Sequence, residues 1–145
     1  MKNAKSVNQY LADLALWNIK LHNLHFNVEG IPFKAIHEFL EDIYDEAFEY
    51  YDAVAELMKQ QGELPVVTAK EYLKIASLKE IESKPYAVKE TLEILLGDLE
   101  LMRDEALKIR EEADKEDNFL LANMMEDHVE FYALKIWFTR AFLTK

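Results

Sequence analysis

Three of the chain's four histidines fall in the stretch His22 to Glu56, and they share it with two pairs of acids whose spacing suits metal chemistry. His25 lies five residues before Gly30, and His37 lies five after Pro32. If the flanking segments are antiparallel helices, the two imidazoles face each other at one level of a helical hairpin. His37 and Glu41 are four apart, as are Asp52 and Glu56, which stacks each pair on one helix face. Imidazole and carboxylate together suit iron, zinc or manganese.

Helix geometry limits how these groups can meet. From His37 to Asp52 a helix turns through about four turns plus 60°, so both pairs point roughly the same way. The same step rises about 22 Å along the axis, which no single metal centre spans. Either the pairs serve different purposes, or one pair meets the other on a second copy of the chain. In a two-fold dimer with these helices antiparallel, His25, His37 and Glu41 of one subunit face Asp52 and Glu56 of its partner, giving two equivalent sites. The second arrangement is favoured.

The elements that must position these groups are helical. Ser6 is the expected N-cap of a first helix whose apolar face runs through Tyr10, Leu14, Trp17, Leu21 and Leu24 and ends near Glu29 and Gly30. A second helix is expected from about Phe33 to Gln61, stopped by Gly62 and packing on two sides. The segment 63–84 is too long for a bare loop, and TAKEYLKIA within it reads as a short helix with Thr68 and Glu71 as a capping box. Pro85 is expected to open a third helix reaching about Asp114, with DKEDN as the turn. A fourth helix should run from about Asn118 to Phe142. Two hairpins joined by one long crossover make an all-α, ferritin-like four-helix bundle, one domain over residues 1–145. No Glu-x-x-His occurs, which argues against a di-iron centre inside a single bundle.

Bulk properties exclude several classes. The 145 residues include 50% hydrophobic and 31% charged side chains, which argues against disorder. There is no cysteine, hence no disulfide or thiolate site. No apolar run approaches the ~18–20 residues of a membrane span and no secretory leader is evident, so an intracellular, cytoplasmic protein is expected. The net charge of −11 disfavours contact with nucleic-acid phosphates.

The segments KLHNLHFNVEG and FKAIHEFLEDIYDEAFEYYDAVAE, with LELMRDEA and KIWFTRAFL downstream, resemble the Dps proteins, or mini-ferritins, over the whole chain. The resemblance implies a dodecameric cage with ferroxidase centres at two-fold interfaces. Carried over, His25, His37 and Glu41 are ligands from one subunit, and Asp52 and Glu56 come from its partner. It further implies oxidation of Fe(II), preferentially by hydrogen peroxide, and storage of ferric mineral. Zinc or another divalent metal suits the same ligand types.

The chain departs from that family in places. Many relatives have Trp where Phe26 stands, so Tyr44, Tyr51 or Trp17 would have to act as electron donor, although such aromatics are commonly plain core. Many have Asp in place of Glu41. Only Lys2 and Lys5 near one end, and Arg140 and Lys145 near the other, resemble a basic tail, so DNA binding is not expected. DNA compaction with incidental metal binding is the alternative function. Asp114 matches a family pore position, but two others fall on Phe119 and Asn123, with Asp117 and Asp127 nearby. His22 is a possible extra ligand, and His128 reads as structural or solvated.

Overall fold

The computed structural model describes residues 1–145 as seven elements. They are α1 (Ala4–Asn27), β1 (Val28–Glu29), α2 (Phe33–Gln60), α3 (Ala69–Ile75), β2 (Tyr86–Ala87), α4 (Val88–Lys115) and α5 (Phe119–Leu143). The helices α1 and α2 form one antiparallel hairpin, α4 and α5 the other, and the crossover carrying α3 joins them. This is the expected four-helix bundle with a short extra helix.

The periodic residues form the core. Tyr10, Leu14, Trp17, Leu21 and Leu24 of α1 are fully buried, and they pack with Leu40 and Ile43 of α2 and with Leu95, Leu99 and Tyr132 of α4 and α5. Gly30 in the first turn has φ +111°, and Gly62 after α2 has φ +80°. Glycine adopts both without the steric cost a Cβ would bring. Thr68 caps α3 by accepting from the Glu71 amide at 3.2 Å, and its hydroxyl donates to the Glu71 carboxylate at 2.8 Å.

Three boundaries differ from expectation. The first helix begins at Ala4, so Ser6 lies inside its first turn, where its hydroxyl donates to Glu112 at 3.4 Å. It ends at Asn27 because Val28 and Glu29 leave the helix to pair in parallel with Tyr86 and Ala87. The same pairing holds residues 86 and 87 extended, which delays α4 to Val88, three residues after Pro85. A two-residue bridge has no periodicity to read in a sequence.

The crossover is held by one carboxylate. Asp13, fully buried on α1, accepts from Ser77 N at 2.8 Å, Ser77 Oγ at 2.8 Å and Leu78 N at 2.9 Å. Ser77 Oγ also lies 3.1 Å from Glu105 Oε1 on α4. Burial, followed by the hydrogen bond to Asp13 and its charge, pushes the Glu105 carboxyl up to about 9. Glu105 is therefore protonated at neutral pH and supplies a donor between two acids that would otherwise repel. Nearby, Lys20 and Asp98 form an ion pair at 2.9 Å away from solvent.

Two outcomes follow for this latch. Asp13→Ala strands two backbone N–H groups and should cost roughly 2–4 kcal/mol, read from denaturant unfolding. Glu105 has a folded value above its ordinary 4.5, so its contribution is complete below about pH 4.5 and is lost as pH rises towards 9. Glu105→Gln should flatten that decline and leave the variant more stable than the parent at pH 8. An unchanged pH profile would show that Glu105 carries no such proton.

Candidate metal centre

The hairpin turn brings His25 and His37 face to face. Their rings stack with centroids 3.6 Å apart and planes 13° apart. His25 is buried and His37 partly so. Each Nδ1 lies 2.7 Å from the other residue's backbone carbonyl, His25 to His37 O and His37 to His25 O. A carbonyl can only accept, so both Nδ1 atoms carry a proton, and in the neutral ring each Nε2 presents a lone pair. Neutral imidazole in this tautomer is a metal ligand, oriented as the outer hydrogen bond of a bound histidine usually orients it.

Aromatic neighbours fix the ring positions. Phe33, one helical turn before His37, stacks on its other side at 5.0 Å. Tyr44 meets His25 edge-on at 5.2 Å and stacks on His22 at 3.8 Å. Phe33 escaped notice in the sequence, although its place four residues before His37 is the signal that could have found it. The reciprocal carbonyl bonds had no signal at all, since they depend on the turn's backbone.

Glu41 completes what the single chain assembles. Its Oε1 lies 3.9 Å from His25 Nε2, and the side chain is half exposed, free to move towards an ion. His22 donates from Nδ1 to Asn18 O at 2.7 Å and lies one ring away from His25, at 6.4 Å. Beyond these residues the site is open. No three His, Asp or Glu side chains of one chain converge closely enough to hold a metal.

Asp52 and Glu56 lie farther along α2, which is unbroken from Phe33 to Gln60. The rise of about 22 Å from His37 to Asp52 therefore applies. Asp52 and Glu56 are both exposed, because Val54, Leu57 and Met58 take the inner face of the helix. The two carboxyls nevertheless approach each other. A hydrogen bond to Asp52, then its charge, raises Glu56 above the ordinary carboxylate value. A cation between two such neighbouring carboxyls offsets their repulsion.

The remaining candidates take plainer places. His128 is buried, stacks on Tyr50 at 3.6 Å and bonds the Tyr10 hydroxyl at 2.8 Å. Burial pushes its imidazole down to about 3, so it stays neutral. Trp17 is fully buried against the edge of Tyr132, and Tyr51 bonds Tyr72 of α3 at 2.6 Å. Phe26 is exposed. Asp114, Phe119, Asn123 and Asp127 are exposed around the turn between α4 and α5, where Asp117 has φ +57°.

The tautomers can be checked directly. Neutron diffraction should place deuterium on Nδ1 of both His25 and His37. A ring with deuterium on Nε2 and none on Nδ1 would contradict the crossed carbonyl bonds.

Comparison with known proteins places the whole chain among ferritin-like proteins. A family model described as a ferritin-like domain matches residues 4–145. The DNA protection during starvation protein of Listeria innocua is 35% identical over 140 residues, 96% of this chain and 90% of that protein. The crystal structure of antigen TpF1 from Treponema pallidum superposes with a TM-score of 0.95 at 27% identity, covering 98% of this chain and 91% of that one. Dps from Listeria innocua, solved after soaking with zinc, gives a TM-score of 0.91 at 34% identity over 97% and 94% of the two chains.

Proposed function

From the premise that this chain belongs to the ferritin-like family, and within it to the Dps proteins, we propose that it oxidises Fe(II) with hydrogen peroxide at centres shared between two subunits. The observation that carries this reading is the half-built site. Two lone-pair nitrogens and Glu41 sit at one end of α2, while a carboxyl pair sits far along the same face. An antiparallel partner brings the missing carboxylates, Asp52 and Glu56, opposite His25, His37 and Glu41. Exposed Phe26, Ile31, Phe33 and Phe48 supply apolar surface that such a partner would cover.

In this reading iron is the substrate and later the cargo. Neutral imidazoles and carboxylates bind Fe(II), and the hard carboxylate oxygens favour the Fe(III) product. One peroxide takes an electron from each of two Fe(II) ions and, with two protons, leaves as two waters. The acidic chain draws Fe(II) towards it. Closed assembly of twelve chains gives a cavity for ferric mineral, and the reaction consumes both reagents of hydroxyl-radical chemistry. Zinc suits the same ligand types and would compete with iron for them. DNA compaction is the weaker reading, since −11 of charge opposes phosphate contact.

Anaerobic Fe(II) should be oxidised rapidly by stoichiometric peroxide, slowly by air alone, and the ferric product should stay soluble. His25→Ala with His37→Ala, and Asp52→Ala with Glu56→Ala, should each fall to the rate of buffer. Subunits of the two variants unfolded and reassembled together should regain part of the activity, because a mixed dimer holds one intact site. No recovery after confirmed mixing would overturn the sharing. In a gel-shift at physiological salt, duplex DNA should run free.

A further inference from the structure

The start of α1 meets the end of α4 around a cavity of about 280 Å³ lined by Lys2, Asn3, Glu112, Lys115 and Glu116. Asn3 occupies the N-cap position of a 24-residue helix, where asparagine ordinarily turns its side-chain oxygen onto a free N–H of the first turn. It makes no such bond. Instead its amide is 8% exposed, and both Oδ1 and Nδ2 are buried without a partner. An asparagine that forgoes a capping bond worth about 1 kcal/mol and leaves both polar atoms unpaired points to a missing neighbour.

The carboxylates beside it carry the same signature. Glu112, in the last turn of α4, and Glu116, its C-cap, are four apart. Glu116 Oε2 accepts from the Lys2 backbone N–H at 2.9 Å, and Glu112 Oε2 accepts from the Ser6 hydroxyl at 3.4 Å. The other oxygen of each, Oε1, is buried and unpartnered. Two carboxylate oxygens and an amide oxygen, all of them hard acceptors, are thus left unpaired on three residues that border one cavity. The ammonium groups of Lys2 and Lys115 border the cavity, yet neither joins an ion pair. The carboxyl end of α4 adds the negative pole of its helix dipole.

We infer that Asn3, Glu112 and Glu116 form a binding site for a hard divalent cation of the calcium, magnesium or manganese class, separate from the histidine centre. Oxygen-only donors and room for several waters suit such ions, while the lack of imidazole or sulfur disfavours softer ones. The bound ion ties the first turn of α1 to the last turn of α4.

Crystals of the full chain grown with Mn²⁺ test this by anomalous scattering. A peak bonded to Asn3 Oδ1 and to the carboxylates of Glu112 and Glu116 is expected. An ordered water alone at that point, or a Lys2 or Lys115 ammonium between the carboxylates, would overturn the site. Calorimetry with Ca²⁺ adds a reading in solution, carried out on the His25→Ala, His37→Ala protein so that the other centre is removed. Glu112→Gln with Glu116→Gln should weaken one Ca²⁺ site per chain at least tenfold. Asn3→Asp, which keeps the shape and adds a charge, should tighten it. Equal Ca²⁺ binding in the parent and both variants would refute the assignment.

Discussion

Two stacked imidazoles are held in place by a pair of crossed hydrogen bonds, each Nδ1–H of His25 and His37 donated to the other's backbone carbonyl at 2.7 Å. This exchange sets the ring planes, places a proton on each Nδ1 and leaves both Nε2 atoms out of the hydrogen bonds. It works only while the turn after α1 keeps the two backbones in register. The bridge from Val28 to Tyr86 and the positive φ of Gly30 secure that turn. The centre therefore depends on a piece of backbone geometry more than on any side-chain contact.

The long helix α2 then imposes the second condition. Because it runs unbroken, the carboxyl pair at Asp52 and Glu56 stays remote from the histidines of its own chain. A monomer holds half a site at each end of one face. Assembly is in this view part of the chemistry, since each half lacks what the other carries. The neutral His128 and the Tyr10–Tyr132 pair, both buried, belong to the core that keeps α5 against α1.

Much of this was legible before any coordinates. The apolar spacing of Tyr10, Leu14, Trp17 and Leu21 marks α1, Gly62 marks the end of α2, and Thr68 with Glu71 marks α3, because each rests on local chemistry. His25 and His37 were readable as a facing pair from their symmetry about the turn. What stayed hidden depends on distant contacts. Asp13 receiving Ser77 and Leu78, and the Val28–Tyr86 bridge, join residues more than fifty positions apart. The exposure of Asp52 and Glu56 in the single chain has no signal in YYDAVAE, which looks apolar in line but divides between two helix faces. Asn3 was passed over because its orphaned amide shows only once α4 is placed beside it.

The most direct measurement is the position of the metal in the assembled protein, found by anomalous scattering after anaerobic loading with Fe(II). The shared-site account predicts iron between His25 and His37 of one subunit and Asp52 and Glu56 of its neighbour, with Glu41 alongside. Iron bound wholly by residues of a single chain, or absent from the histidine pair in crystals that hold it elsewhere, would contradict it.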